Sequence, residues 1–227
     1  MPLATQHYLS DEVDPLFIHG SRDHLQPFIK PGRILNMGLG YGTWDEVLTG
    51  RDDDVTGLDL DPDLIAHFGA KYADIEYVCA DATTWTPDAP FDTIIGSHFL
   101  EHLDEPVAAL QRWRGWLAPG GRIMIVVPNA DSLHRRIGKS MGMLEEVTDL
   151  NDSDHQLGHR RVYTRSLLRQ HIEEAGLEIV HFTGVGMKPF SNAQLAELPA
   201  AYLDAVVGFI GPDVEPVAVQ LVAVLEA

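Results

Sequence analysis

The chain is poor in several things whose absence narrows its function. It has one cysteine, Cys79, so no internal disulfide framework can hold it together. Basic residues are scarce: 16 Lys and Arg stand against 34 Asp and Glu, a formal net charge of −18. A chain of that charge is repelled by nucleic-acid backbones and by anionic membrane, so neither is expected as a partner. Long apolar runs are missing too. Ile123–Val127 (IMIVV) is among the longest and has the length of a strand, whereas a membrane span takes about 20 residues. The opening MPLATQHYLSDEVD has no basic start and no apolar stretch before its acids, unlike a signal peptide. The expected location is therefore the cytoplasm. There is no internal repeat and no low-complexity tract.

What is present suits one folded unit. The 227 residues are 45% hydrophobic, enough for a full core, and residues 1–227 are read as a single domain. Apolar runs alternate with helical patterns, which argues for a parallel sheet covered on both faces. Expected strands are Arg33–Met37, Val55–Leu60, Ile75–Cys79, Phe91–Ser97, Ile123–Val127 and Glu178–Thr183, with a last one within Val217–Leu225. Helices are expected from Thr43, from Pro62 with Asp61 as cap, from Pro106 with Val107, Leu110, Trp113 and Leu117 on one face, over Arg165–Ala175, and from Ser191. The pattern breaks down over 129–162. That stretch is polar and rich in glycine, histidine and arginine, and it reads as a cap over a functional site.

The central motif is Asn36-Met37-Gly38-Leu39-Gly40-Tyr41-Gly42, placed directly after the first strand. Glycines there let the backbone approach a ligand and take positive φ. Their spacing is G-x-G-x-G, not the G-x-G-x-x-G of dinucleotide folds, which disfavours NAD. An acid ends the next strand, Asp59, where a carboxylate can accept both hydroxyls of a ribose. A third element, Cys79-Ala80-Asp81-Ala82, follows the third strand.

NMGLGYG, VTGLDLDPDLI, VCADA, FDTIIGSHFLEHL, LAPGGRIMIVVPN, GHRRVYTRSLL and AGLEIV, in that order, make the chain resemble a class I S-adenosylmethionine-dependent methyltransferase of the small-molecule type, over about residues 33–185. The resemblance implies an α/β, Rossmann-like, doubly wound sheet of seven strands, order 3-2-1-4-5-7-6 with strand 7 antiparallel, and the cap inserted after strand 5. It implies S-adenosylmethionine as cofactor. Asn36, Gly38, Gly40 and Gly42 would border its methionine part, Asp59 would hold the ribose with Leu60 beside the adenine, Asp81 and Ala82 would meet the adenine edge, and Ser97 would lie near the reactive end. The chain departs from the family at Asn36, where an acid is usual. Asparagine can hydrogen-bond but brings no charge to set against the cofactor's ammonium.

The acceptor end is marked by histidines, good bases near neutral pH. His155 is the first candidate base, followed by His159 and His98, the first two lying in the most polar cluster of the cap. Glu101-His102 reads as structural, and Arg160 and Arg161 either hold an anionic group of the acceptor or, the reading slightly favoured, neutralise Glu145, Glu146 and Asp149. Residues 184–192 are expected to wall the pocket. No metal is expected. The histidines with Asp154 fit no zinc spacing, and Ser97-His98 stands where metal-dependent catechol methyltransferases carry an acid. The reading is therefore O-methylation of a small polar molecule by a histidine base. N-methylation of an amine or amino sugar, or a non-catalytic cofactor-binding subunit, stand as alternatives, and a homodimer is compatible with it.

Overall fold

A computed structural model of the chain describes residues 14–227; residues 1–13, which include most of the stretch read above for a leader, lie outside that range. Helix α1 (Asp14–Leu25) precedes the sheet. Then come β1 (Arg33–Met37), α2 (Asp45–Leu48), β2 (Asp54–Asp59), α3 (Pro62–Lys71), β3 (Glu76–Cys79), β4 (Phe91–Ser97), α4 (Pro106–Arg114) and β5 (Leu117–Pro128). Residues 129–162, the stretch expected to be a cap and called so below, hold α5 (Leu133–Ser140) and α6 (Asp152–Leu157). It is followed by α7 (Arg165–Glu174), β6 (Glu178–Val185), α8 (Asn192–Leu195), α9 (Ala200–Val207), β7 (Ile210–Gly211) and β8 (Gln220–Glu226).

The sheet has the order β3-β2-β1-β4-β5-β8-β6-β7. Strands β1 to β5 pair in parallel, while β8 runs antiparallel to both β5 and β6. This is the expected order with one addition. The two-residue β7 pairs with the outer edge of β6 and makes an eighth strand. Side chains alternate between two cores, as a sheet covered on both faces requires. Leu35, Met37, Ile123, Ile125, Leu221 and Ala223 pack on one face, and Ile34, Ile95, Met124, Val126, Val222 and Val224 on the other.

Two local expectations are corrected. The helix after the glycine loop starts at Asp45 with Trp44 as N-cap, not at Thr43, because Gly42 at φ 71° and its N–H to the Leu39 carbonyl (2.8 Å) keep the chain turning. Helix α4 stops at Gly115, so Leu117 opens β5 and does not join the helix face. The Pro119-Gly120-Gly121 turn is absorbed into β5 at an irregularity opposite Phe91 and Thr93. A Cβ on Gly121 would lie 2.8 Å from the Phe91 carbonyl, so only glycine lets the strands approach there.

Candidate active site

The carboxyl ends of β1, β2, β4 and β5 open on one cavity of about 1020 Å³. It lies where the strand order reverses between β1 and β4, the crevice in which open α/β sheets bind ligands. Gly38, Leu39, Gly40 and Tyr41 line it after β1, Asp59 to Pro62 after β2, Ser97 to Phe99 after β4, and Pro128 and Asn129 after β5. Helix α1 adds Phe17 and Ile18; the cap adds Arg135, Asn151, Ser153, Asp154, Leu157 and His159; and Lys188, Ser191 and Asn192 form the wall expected from residues 184–192.

One end of this cavity is made chiefly of backbone. Gly38 has φ 73°, and a Cβ there would meet the Phe99 ring at 2.6 Å. Gly42, expected to border the ligand, lies off the cavity wall; it has φ 71°, and its Cβ would meet the Phe68 ring at 2.2 Å, so it shapes the turn from behind. A side chain at either position would be strained and would collide. Asp59 braces the loop: Oδ2 accepts the Leu39 N–H and Oδ1 the Asp61 N–H, both at 2.8 Å. Burial nevertheless pushes its carboxyl above the usual range, against those bonds.

Asn36 lies beneath the loop, buried and off the cavity wall, and its Nδ2 donates to Asp45 Oδ1 at 3.2 Å. Burial pushes the Asp45 carboxyl up to about 7. The carboxyl absent at position 36 thus has a buried neighbour that the sequence reading missed; its one signal was an acid at the start of the helix. Asp81 is exposed, on the loop after β3, where Oδ1 accepts the Thr83 N–H and hydroxyl. Ala82 is buried in the core. Neither Asp81 nor Ala82 lines the cavity. Ser97 does, and its Oγ, buried, has no hydrogen-bond partner.

A nucleoside-bearing cofactor fits this end. The backbone of Gly38 and Gly40 lines the cavity, Asp59 presents a carboxylate beside it, and the buried Ser97 hydroxyl lacks a hydrogen-bond partner. The volume suits a ligand of that size.

The other end is made of side chains. His159 Nδ1 lies 2.9 Å from Asp154 Oδ1, and Arg135 donates to Asp154 Oδ2 at 3.0 Å. Arg135 also donates to the carbonyls of Val147 (2.8 Å) and Asp149. Asn151 and Asp154 form a capping box, each side chain accepting the other's N–H, and Gly158 at φ 79° turns the chain so that His159 folds back. Burial opposes ionisation of Asp154, but His159 and Arg135 hold its carboxyl at about 2. The same contact holds His159 above its usual range despite its burial.

His98 is the one non-glycine with positive φ among the described residues, at 51°. Its Nδ1 is 3.3 Å from Glu101 Oε1 and its Nε2 is 2.9 Å from Gln220 Nε2. The rings of His102 and His159 meet edge to face at 4.8 Å.

Of the histidines read from sequence, the fold brings His98 and His159 to the cavity and leaves His155 exposed on α6, off the wall. His155 is placed there because α6 turns Asp154 and Leu157 inward, which leaves His155 on the opposite, solvent face. His102 lines the cavity although it was read as structural. Arg161 donates to the carbonyls of Leu103 and Asp104 (the latter at 3.0 Å), and Arg160 pairs with Asp104 at 3.2 Å, so neither neutralises the acids expected.

The sequence profile of a family described as a methyltransferase domain matches residues 5–182. The trans-aconitate 2-methyltransferase of Streptomyces avermitilis is 33% identical over 121 residues, 49% of this chain and 45% of that enzyme, so the match spans under half of that relative's length. The ubiquinone biosynthesis O-methyltransferase of Xylella fastidiosa is 28% identical over 167 residues, covering 70% of this chain and 66% of that one. In fold, the S-adenosylmethionine-dependent methyltransferase of Mesorhizobium loti superposes with a TM-score of 0.65 at 16% identity, over 92% of this chain and 98% of that one. No helix among the described residues is long and apolar enough to cross a membrane.

Proposed function

Because the chain belongs to the methyltransferase-domain family, class I enzymes dependent on S-adenosylmethionine, we propose that it methylates a hydroxyl of a small polar molecule with a histidine as base. One observation carries this reading. The glycine loop and two carboxylate-backed histidines, His159 and His98, open on one cavity. When bound, S-adenosylmethionine supplies an electrophilic methyl carbon. Gly38 and Gly40 let the backbone lie against it, Asp59 takes the ribose hydroxyls, and Ser97 Oγ offers a hydrogen bond at the end of β4.

The acceptor is held from the cap side, between His98, His102 and His159. Its oxygen forms the new bond to carbon as the sulfur–carbon bond breaks and the electron pair stays on sulfur. The hydroxyl proton passes to His159 Nε2, whose Nδ1 faces Asp154, or to His98 Nε2 once it parts from the Gln220 amide, with Nδ1 facing Glu101; in each case a carboxylate orients the ring, as in a catalytic triad. Alignment in a closed cavity supplies much of the acceleration. The O-methyltransferase relative from Xylella fastidiosa supports oxygen as the acceptor atom.

The test is release of S-adenosylhomocysteine from a panel of small hydroxylated acids, sugars and amines. Hydroxyl acceptors should turn over. His98→Ala or His159→Ala should slow them by roughly 10²–10⁴-fold with cofactor affinity kept, as loss of a general base does. Turnover of amines alone, or full turnover in both variants, would contradict the reading.

A further inference from the structure

Glu101 stands out among the described residues as a buried carboxylate that the fold does not satisfy. It is fully buried, and neither carboxylate oxygen has a hydrogen-bond partner. His98 Nδ1 approaches Oε1, at 3.3 Å; Oε2 has no hydrogen-bond partner. A buried carboxylate with an unused oxygen is costly unless a positive group meets it.

What surrounds it is a set of donors. One ligand atom each from Glu101, His102 and His159 lie within 4.8 Å of one another. His159 is already tied at Nδ1 to Asp154, and Asp154 to Arg135, which leaves Nε2 as its available nitrogen. Metal-ligating histidines are usually fixed in this way, one nitrogen on a carboxylate or a carbonyl and the other on the ion. Two imidazoles and one carboxylate are a known donor set for divalent zinc and for first-row metals with open positions. Three such donors around one ion at about 2.0–2.2 Å stand roughly 3–3.5 Å apart. The cluster therefore has to close by an ångström or so, within the reach of side-chain rotation. His102 and His159 line the cavity, so the open positions face the acceptor.

We propose that Glu101, His102 and His159 hold one divalent transition-metal cation, and that the acceptor is a molecule whose hydroxyl and a neighbouring oxygen bind that cation together. The role given to the acceptor rests on the O-methylation reading; the site itself does not. With His159 Nε2 on the cation, the hydroxyl proton goes to His98, and the cation lowers the cost of losing it. Asp154 is a positioning residue that acts through His159. Sequence spacing hid the site, because its donors come from the turn after β4 and from the return loop after α6.

The test uses the untagged full chain, stripped with a chelator and titrated with Zn(II) by calorimetry and with Co(II) by visible absorption. One cation per chain should bind, and Co(II) should develop d–d bands of a nitrogen–oxygen site. Glu101→Gln and His159→Ala should each weaken binding by at least about tenfold and alter the bands. Asp154→Asn should weaken it about 10–100-fold, the usual cost of losing such a partner. His67→Ala, on the exposed face of α3, should leave it unchanged. If Glu101→Gln does not fold, His159→Ala carries the test.

No stoichiometric binding by the wild type, or wild-type binding in the Glu101 and His159 variants, would overturn the site. Calorimetry with S-adenosylhomocysteine separates the two proposals. A chain that binds it and methylates hydroxyls with chelator present has lost the cation site alone. A chain that binds the cation but not S-adenosylhomocysteine has lost the methyltransferase reading alone.

Discussion

At the glycine-loop end, read as the cofactor end, the wall is backbone held at positive φ at Gly38 and Gly40 and braced by Asp59, all within one β1–turn–β2 unit. At the acceptor end, the wall is side chains delivered by the turn after β4, the cap, α1 and the loop after β6, locked by a buried Arg135–Asp154–His159 chain. The first end depends on where glycine is tolerated and is indifferent to most other residues. The second depends on which side chains arrive together.

The largest effect that would break this comparison is at Arg135. Arg135→Met leaves the buried Asp154 charge without one of its two partners and two carbonyls without a donor, which costs up to roughly 3–5 kcal/mol for such pairs. The account expects that loss to fall on the cap. Amide exchange over 133–159 should quicken while β1, β4 and β5 keep their protection and S-adenosylhomocysteine affinity changes little. Global unfolding with no local phase would mean that the two ends are one cooperative unit.

Gly38→Ala should do the converse. A Cβ 2.6 Å from the Phe99 ring at φ 73° adds strain and overpacking of about 2–5 kcal/mol in all. Thermal unfolding should fall and cofactor binding should be lost, while the cap's exchange pattern survives. Normal binding in this variant would remove the glycine cradle from the account.

Asp45 sharpens the comparison through pH. Burial raises its carboxyl to about 7 in the folded chain, against about 3.8 when unfolded. Between those values the folded chain holds a proton that the unfolded chain has released. Stability from this group therefore falls as pH rises through that window and is level above about 7. Asp45→Asn keeps an acceptor for Asn36 Nδ2 and removes the slope. It should gain on the order of 1–4 kcal/mol at pH 8 and nothing near pH 4, read from denaturant melts at both. An equal effect at both pH values would show that Asp45 is not protonated in the fold.

The same division explains what the sequence disclosed. Strand order, the glycine loop and Asp59 were legible because each is a local pattern: an apolar run, a turn that needs positive φ, an acid at a strand end. The extra strand β7 was not, since two residues carry no periodicity. At the acceptor end, composition marked 129–162 as polar and histidine-rich but could not choose among its members. His155 and His159 are four residues apart, and a left-handed Gly158 sends one to solvent and the other back to Asp154. Glu101 looked like an accompaniment to His102; its unpartnered burial arises only when the return loop closes over it. Asn36 and Asp45 meet across a turn whose geometry no spacing rule encodes.

The most direct measurement is calorimetric titration of S-adenosylhomocysteine into the wild type, Asp59→Ala and the double variant His98→Ala/His159→Ala. The account predicts one site per chain, weakened by about 1–3 kcal/mol in Asp59→Ala, where ribose hydroxyls lose their acceptor, and unchanged in the double variant. Absence of binding to the wild type, or equal weakening by both sets of substitutions, would contradict it.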